Sequence, residues 1–270
     1  MTGSDNMIAL SGVYKSFGRK KVLRGVDLEV GKGQSLVVIG GSGSGKSVML
    51  KCILGLLTPE AGSIKVNGVE TIGLSAAARD RVNRQFGMLF QNGALFDSLP
   101  IWQNVAFAAI QADHISEDEA RELTTQSLAL VGLGKDLLDV YPASLAGGTH
   151  KQIGLARAIA TRPPIIFFDE PTTGLDPIMT DVINHLIRDC VQELGATTLT
   201  ITHDMSSVRT IADKAALLYQ GEIIWTGNQQ EMTDSDNPFL NQFVNGLAEG
   251  PIDLGVEAPV LEQTGQAESG

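Results

Sequence analysis

The feature that most constrains the fold is a glycine-rich segment, Gly40-Gly41-Ser42-Gly43-Ser44-Gly45-Lys46-Ser47. It fits the pattern G-x-x-x-x-G-K-[ST], follows an apolar run at 36–39, and precedes a segment predicted to be helical over about 45–56. Glycines let consecutive backbone N–H groups turn inward around an anion, and the start of a helix adds partial positive charge. We therefore predict a phosphate-binding loop, in which Lys46 reaches the β- and γ-phosphates of a nucleotide and Ser47 Oγ ligates Mg²⁺.

The rest of the chain alternates short apolar runs with helical periodicity. The apolar runs predict strands at 7–10, 22–30, 36–39, 165–168, 198–202, 215–219 and 222–225. Asn67-Gly68, between runs at 63–66 and 69–72, predicts a β-hairpin. Apolar spacing predicts helices over 117–131, 148–160 and 182–194. This α/β alternation indicates a mainly parallel sheet covered by helices, interrupted by a helical insert.

Two acids end the apolar run at 165–168. Open α/β sheets bind ligands at the carboxyl ends of their strands, so Asp169 is expected to hold Mg²⁺ through water. Glu170 is placed to act as the general base that polarises the attacking water. His203 follows the predicted strand at 198–202 and could bond to the γ-phosphate. The other histidines (His114, His150 and His185) are interpreted as exposed structural residues, and no Cys/His cluster has metal-ligand spacing.

Composition narrows the class of protein. The 270 residues carry a net charge of −11, which argues against a nucleic-acid partner because phosphate neutralisation needs clustered Lys and Arg. No apolar run approaches the roughly 18–20 residues of a membrane span, and the first residues do not read as a signal peptide. A cytoplasmic chain is expected, with Cys52 and Cys190 as reduced core residues.

In their order along the chain, these motifs resemble those of the ATP-binding-cassette (ABC) ATPases. The resemblance covers about 7–240 and is carried by the phosphate loop, Gln91, Leu145-Ala146-Gly147-Gly148-Thr149, Asp169-Glu170, Gly174-Leu175-Asp176 and His203. It implies a P-loop NTPase (RecA-like) core with an antiparallel β lobe and an inserted α-helical subdomain. It also implies a head-to-tail homodimer that encloses two ATP, in which Ala146, Gly147 and Gly148 of one copy cap the γ-phosphate bound by the other. Phe17 matches the aromatic residue that stacks on adenine, although it could instead be a core phenylalanine.

The resemblance also assigns roles and boundaries. Lys46, Gln91, Glu170 and His203 form the expected catalytic set, and Ser47, Gln91 and Asp169 the expected Mg²⁺ ligands. Residues 1–91 and 162–248 would form the ATPase core, and 92–161 the helical subdomain. The segment 249–270 has acids and two prolines but no Lys or Arg, so it is expected to be a partly disordered acidic tail.

A narrower likeness is to the ATPases of Mla/MCE-type lipid transporters (MlaF-like). It rests on the segments 90–97, 104–107 and 243–251. It implies an integral-membrane permease and an MCE-domain lipid-binding protein as partners, with the chain peripheral on the cytoplasmic face of the inner membrane and touching it only through the permease. Gln91 would sense Mg²⁺ and the attacking water. Ala94, Leu95 and Phe96 would line the groove that receives a permease helix, unless this apolar stretch only packs the helical lobe.

The sequence departs from the family at the segment that usually reads Leu-Ser-Gly-Gly. Ala146 replaces the serine, Thr149 follows the glycines, and Gln152 stands where Arg is common. A hydrogen bond to a charged group is worth about 1.5–3 kcal/mol, so a loss of roughly 10–100-fold in hydrolysis rate is expected. Two other functions remain open: the ATPase of an amino-acid or lipoprotein transporter, and a soluble ABC protein of translation or DNA repair, which commonly carries two cassettes or a coiled-coil insertion.

Overall fold

The computed structural model describes residues 5–252. The strands are β1 (Asn6–Phe17), β2 (Lys20–Gly31), β3 (Ser35–Ile39), β4 (Ala61–Val66), β5 (Val69–Glu70), β6 (Phe86–Leu89), β7 (Ile165–Asp169), β8 (Thr197–Thr202), β9 (Lys214–Tyr219) and β10 (Glu222–Gly227). The helices are α1 (Lys46–Ile53), α2 (Ala76–Asn83), α3 (Ile101–Val105), α4 (Phe107–Asp113), α5 (Glu117–Leu130), α6 (Gly147–Ile159), α7 (Pro177–Leu194), α8 (Met205–Ile211), α9 (Gln229–Thr233) and α10 (Pro238–Asn245). Most of the predicted acidic tail, 253–270, lies outside the described residues.

A six-stranded sheet carries the elements on which the site is built. Its order is β10-β9-β3-β8-β7-β6, and every pair except β10–β9 is parallel, as the α/β alternation predicts. Strand β6 was not predicted because it is only four residues long and contains Gly87. That glycine lets α6 lie directly on the strand, since a Cβ at position 87 would collide with the carbonyl oxygen of Ala158. The carboxyl ends of β3, β6, β7 and β8 therefore share one edge.

A second, antiparallel sheet has the order β2-β1-β4-β5 and corresponds to the expected β lobe. The hairpin predicted at Asn67-Gly68 is present: both residues have positive φ (48° and 76°), and Val66 pairs with Val69. Strand β1 extends seven residues beyond its predicted apolar run, because antiparallel pairing with β2, with several register shifts, includes the polar residues. Strand β2 exceeds its predicted run by only two residues at its start and one at its end. The predicted α/β fold is thus confirmed.

One hydrophobic core joins the two sheets and α1. It includes Leu10 of β1, Val38 of β3, Met49 of α1 and Phe167 of β7, all fully or almost fully buried. Cys52 belongs to this core, and Cys190 is also buried; both are free thiols, as predicted. Burial raises the pKa of each thiol to about 11, which keeps them protonated and unreactive at neutral pH.

Local capping explains where the helices differ from their predicted bounds. Helix α1 ends at Ile53, before the Thr58-Pro59 pair expected to stop it, because Gly55 adopts a left-handed conformation and the N–H of Leu56 returns to Lys51 O. Helix α7 starts at Pro177, before its apolar periodicity begins, because Asp176 accepts hydrogen bonds from the N–H groups of 178 and 179.

Four α-helices, α3 to α6, lie between β6 and β7. A smaller apolar cluster of Trp102, Ala106 and Ala120 packs α3 against α5, and a capping box at Ser116 and Glu119 starts α5. These helices fall within 92–161, where a helical subdomain was expected; the division into domains stays a prediction. Within 5–252, none of the helices has both the length and the apolar character that crossing a bilayer requires.

The chain divides into two compact units, one ending at Asp234 and the other beginning at Ser235. The second unit contains α10, which starts at its N-cap Asn237 and ends at Gly246 in the left-handed region. The side chain of Gln242 in this helix accepts from the N–H of Ile252 and donates to its carbonyl oxygen. These contacts fold the segment after α10 back onto the helix.

Candidate functional site

A cavity of about 740 Å³ lies at the carboxyl edge of the six-stranded sheet. It is lined by residues that follow parallel strands: the loop 41–47 after β3, Gln91 after β6, Asp169 and Glu170 at the end of β7, and His203 after β8. Its wall also includes Phe17 at the end of β1, together with Lys20 and Val22 at the start of β2. The structure therefore brings together most of the residues predicted from separate motifs.

The phosphate loop is a concave turn of backbone held from both sides. Gly40 has φ 154°, and a Cβ there would collide with the carbonyl oxygen of Leu218, so only glycine fits. The carbonyl oxygen of Ser44 accepts from Gly221 N–H at 3.1 Å, which fixes the loop against the β9–β10 turn. Helix α1 begins immediately after the loop with no side-chain cap, so its first N–H groups are free to meet an anion.

The ammonium group of Lys46 lies inside this loop. It is 8% exposed and donates to the carbonyl oxygens of Gly40 (2.5 Å) and Gly41 (3.2 Å). Burial lowers its pKa, and the carboxylates of Glu170 and Asp169 partly oppose that shift. The ammonium group is thus held in the loop by two uncharged carbonyl oxygens. A phosphate oxygen can replace them, because a hydrogen bond between charged groups is stronger.

Glu170 is the most constrained residue of the cavity. Its backbone has φ 48°, a left-handed conformation that is uncommon for a residue other than glycine. Its Oε2 accepts hydrogen bonds from the hydroxyls of Thr173 (3.1 Å) and Thr202 (3.4 Å), and His203 Nδ1 lies 2.8 Å away as an N–H donor. The side chain of Glu170 is 14% exposed, against 60% for His203. The carboxylate is therefore held in one orientation at the cavity wall while the imidazole faces the open side.

Asp169 is half-buried next to Glu170. Burial, followed by repulsion from Glu170, raises its pKa, and nearby lysines including Lys51 and Lys46 oppose the shift. Within 5–252, no group of three or more His, Cys, Asp or Glu side chains could hold a metal ion without other ligands. Mg²⁺ commonly takes one or two protein carboxylates together with phosphate oxygens, so Asp169, Ser47 and Gln91 fit an ion that arrives with a nucleotide.

A triphosphate fits this cavity by its chemistry as well as by its volume. The buried hydroxyl of Ser44 has no hydrogen-bond partner among the residues that the structure describes, and it lies in the loop beside the uncapped start of α1. Phe17 is 49% exposed, so it is not the core residue of the alternative interpretation. Lys15 lies over its ring at 5.4 Å from the centroid, and an aromatic face remains for a base to stack on.

The predicted residues Ala146, Gly147 and Gly148 are not part of this cavity. Ala146 is the N-cap of α6 and makes no side-chain cap, so the first N–H groups of α6 have no partner in the helix. Ala146 and Gly147 are exposed, and Gly148 packs so closely on Met179 that a Cβ would lie 2.7 Å from its methyl carbon. The start of α6 thus presents uncapped N–H groups of the kind that can bind an anion, away from the cavity that holds the phosphate loop.

An apolar groove of about 410 Å³ lies next to the loop that carries Gln91. Phe86, Phe90, Ala94, Phe96 and Phe107 are among its lining residues, and the ring centroids of Phe96 and Phe107 lie 4.7 Å apart with the rings tilted by 38°. Leu95 is not among them. Asn104, which is fully buried, shapes this region by bonding to both backbone groups of Phe96 and to Leu99 O.

Sequence reasoning did not identify several residues that support the site. Lys20 and Val22 line the cavity, while Lys151 and Arg157 on α6 donate to backbone carbonyls of 91–94. The spacing of Lys151 and Arg157 along α6 gives no indication of these contacts, which join segments about 60 residues apart. His150, interpreted as exposed, is half-buried, and its ring Nε2 lies 2.7 Å from Pro142 O.

Comparison with known families gives a match over more than half of the chain. The model of the family described as "ABC transporter" matches residues 23–173. Among solved structures, the dimeric post-hydrolysis state of the ATP-binding cassette MJ0796, bound to ADP and Pi, superposes with a TM-score of 0.75. It is 29% identical and covers 82% of this chain and 98% of that one.

Three relatives span most of the chain. The "Probable ribonucleotide transport ATP-binding protein mkl" of Mycobacterium tuberculosis is 40% identical over 250 residues, covering 93% of this chain and 69% of the relative. The intermembrane phospholipid transport system ATP-binding protein MlaF of Haemophilus influenzae is 35% identical over 249 residues, covering 92% and 94%. The methionine import ATP-binding protein MetN of Escherichia coli is 38% identical over 243 residues, covering 88% and 70%.

Proposed function

Since this chain belongs to the ABC transporter family as an MlaF-like ATPase that binds nucleotide and hydrolyses ATP, we propose that it energises the movement of a phospholipid. Its proposed partners are a second copy of the chain, an integral-membrane permease and an MCE-domain lipid-binding protein. The observation that supports this most directly is the relative MlaF, a phospholipid-system ATPase that this chain matches over 94% of its length. The apolar groove beside Gln91 offers a surface for a permease helix.

In the proposed reaction, the loop 40–47 holds the phosphates of ATP. Its N–H groups and the start of α1 surround the anion, Lys46 leaves its carbonyl partners for the β- and γ-phosphates, and Phe17 stacks on adenine. Ser47, Gln91 and Asp169 would hold Mg²⁺, which when bound supplies Lewis-acid neutralisation of the phosphate charge. Ala146, Gly147 and Gly148 of the second copy would cap the γ-phosphate.

Glu170 supplies the proton chemistry. Its carboxylate, oriented by Thr173, Thr202 and His203, accepts a proton from the water that attacks the γ-phosphorus. His203 holds the carboxylate through Nδ1, and its exposed ring, which lines the cavity, would bond to the γ-phosphate. Because general bases work best when their orientation is fixed in advance, these contacts favour Glu170 over Asp169 as the base.

We propose that the helical segment contacts the second copy and the permease, while the sheet edge carries out hydrolysis. We place the ATPase core at 1–91 and 162–248 and the helical subdomain at 92–161, so that α6 carries the γ-phosphate cap and the groove carries the contact with the permease. ATP would close the dimer and hydrolysis would reopen it. The chain would reach the cytoplasmic face of the inner membrane through the permease alone.

A second candidate function is the ATPase of a solute importer. The relative MetN, a methionine import protein, supports it at 38% identity. This candidate shares every residue proposed for hydrolysis, so only the partners and the cargo distinguish the two functions.

The test is purification of the full-length chain from its own membranes, followed by mass spectrometry of bound proteins and lipids. Lipid transport predicts a permease, an MCE-domain protein and enriched phospholipid, whereas a solute-binding protein without lipid would contradict it. Phe96→Asp should remove the permease, because a charge enters the apolar groove. Val69→Asp is a matched control: Val69 is 47% exposed, close to the 44% of Phe96, but lies on β5 outside the groove.

A further inference from the structure

Lys151 on the second turn of α6 is an unusually placed cation. It is 5% exposed, and its ammonium group donates to the carbonyl oxygen of Gln91 and, at 3.4 Å, to that of Glu170. A lysine has three N–H donors and no acceptor, so one ammonium can join two carbonyl groups. Burying a lysine is unfavourable unless it finds such partners. The contacts connect α6, the loop carrying Gln91 and the end of β7.

Arg157 on the same helix provides an internal comparison. Its guanidinium donates to Ala94 O and Gly93 O, both at 2.7 Å. Between the two cations, Gly154 packs on Gly93 so closely that a Cβ would lie 3.2 Å from Gly93 Cα. Both cations therefore attach the loop 90–94 to α6, and Lys151 also reaches the backbone of Glu170.

The carbonyl group of Glu170 matters because its backbone is left-handed (φ 48°). For a residue other than glycine, this conformation persists only where the surrounding structure holds it. On one side, the N–H of Glu170 donates to Ile201 O of β8 at 2.9 Å. On the other side, the carbonyl oxygen of Glu170 accepts from the ammonium group of Lys151 at 3.4 Å and from the N–H of Thr173 at 3.3 Å. The Thr173 contact lies within the turn, whereas Lys151 ties the turn to α6. The direction of the Glu170 side chain depends on this turn, so these contacts together aim the carboxylate.

We propose that Lys151 is a positioning residue for ATP hydrolysis, which holds the left-handed turn of Glu170 and ties it to the loop that borders the groove. A shift of that loop, such as a permease helix would produce, then reaches the general base through a single ammonium group. This inference rests on the proposed function, in which Glu170 is the base and the groove receives the permease. The carboxylates of Glu170 and Asp169 also attract the ammonium group electrostatically, which favours its place between the three segments.

The test compares Lys151→Met with Lys151→Arg and Arg157→Met in the full-length chain. Methionine keeps an unbranched stem but removes the donors, so we expect kcat to fall about 10-fold, the effect of losing one hydrogen bond from a charged group. The affinity for ATP should stay within about 2-fold, because the phosphate loop is untouched, and Lys151→Arg should restore most of kcat. Hydrogen exchange should rise at 90–94 in both methionine variants, but at 170–173 only in Lys151→Met.

A double variant distinguishes failure of this proposal from failure of the proposed base. In a Glu170→Gln background, Lys151→Met should lower residual single-turnover hydrolysis no further, because its effect passes through Glu170. The same 10-fold loss in that background, an unchanged kcat in Lys151→Met alone, or equal exchange at 170–173 in both methionine variants would overturn the proposal. If Glu170→Gln hydrolyses ATP normally, Glu170 is not the general base. Hydrogen exchange at 170–173 in the two methionine variants still tests whether Lys151 holds the Glu170 turn. Should Lys151→Met not fold, Lys151→Gln undergoes the same measurements.

Discussion

Two regions of the chain offer backbone N–H groups to an anion, and they are built in opposite ways. At the sheet edge, the loop 40–47 has Lys46 stored inside it and faces Asp169 and Glu170 across the cavity. At the start of α6, the N-cap Ala146 gives no side-chain hydrogen bond, and residues 146–148 do not line the cavity at the sheet edge. The phosphate loop thus has a cation and two acids beside it, whereas the start of α6 offers an anion only backbone N–H groups. In the proposed homodimer, the second region would be completed by the nucleotide that the other copy binds.

The largest expected effect tests whether the sheet edge alone performs the chemistry. Glu170→Gln should lower ATP turnover by about 100- to 10,000-fold, because the amide cannot accept the proton of the attacking water. ATP binding should persist, and the variant should stay dimeric while ATP is bound. Single-turnover hydrolysis and light scattering with ATP measure both. A variant that hydrolyses at the normal rate would show that the base lies elsewhere.

The next effect tests whether Lys46 is the cation that the loop depends on. Lys46→Ala removes two or more charged contacts to phosphate, so we expect ATP affinity to fall about 100-fold or more. Titration calorimetry with ATP measures the change. Lys20→Ala is the matched control, since Lys20 lies on the same cavity wall but at the β2 end of it. If the two variants lose the same affinity for ATP, phosphate binding does not depend specifically on Lys46.

A smaller effect is expected from adding a side-chain cap at the start of α6. Ala146→Ser supplies both an N-cap for α6 and a hydroxyl for the γ-phosphate, so turnover should rise about 10-fold. The cap should separately add about 1 kcal/mol to the free energy of unfolding. Ala143→Ser, in the 3-10 turn just before, is the control. A gain in stability with no gain in turnover would show that position 146 does not limit hydrolysis.

The smallest effect concerns stability in the absence of nucleotide. The raised pKa of Asp169 means that the folded chain disfavours its charged form. The folded carboxyl group therefore weakens stability at neutral pH, and this weakening is relieved as the pH falls through the folded pKa towards the unfolded value near 3.8. Asp169→Asn should raise Tm at pH 7 by about 2–4 °C, the shift that ~1 kcal/mol produces in a protein of this size.

The Asp169→Asn gain should disappear at a pH below the pKa of the carboxyl group, where Asp169 itself is neutral. Thermal unfolding of both proteins at two pH values measures it. A lower Tm for the variant at pH 7 would mean that attraction to the nearby lysines outweighs burial. That result would contradict the view that the sheet edge is destabilised when no nucleotide is bound.

The sequence was most informative where function depends on neighbouring residues. The loop 40–47 and the pair Asp169-Glu170 are contiguous, and the parallel sheet brings them to one edge, as the strand pattern predicts. Strand β6 was missed because four residues including Gly87 carry no periodic signal. The early ends and starts of α1 and α7 depend on Gly55 and Asp176, which act through the backbone rather than through apolar spacing.

Contacts between segments that are distant in the sequence could not be predicted from residue patterns. Lys151 resembles any lysine on a helix until folding places Gln91 and Glu170 beside it. Asn104 likewise gives no sign in the sequence that it is fully buried and bonds the backbone of Phe96 and Leu99. The predicted roles of the individual site residues stay predictions until the variants above are measured.

Gly87 and Gly154 bear on attempts to redesign the partner preference of this ATPase. One lies where α6 touches β6 and the other where α6 touches the loop at Gly93, and neither position has room for a Cβ. Grafting groove residues from a relative onto this scaffold should therefore exchange side chains around the glycines and leave both glycines in place. A library that randomised position 87 would push α6 away from β6, because the Cβ would collide with the backbone of Ala158. A side chain at position 154 would crowd Leu89 and Gly93. Such variants would therefore report a misplaced helix or loop rather than altered recognition.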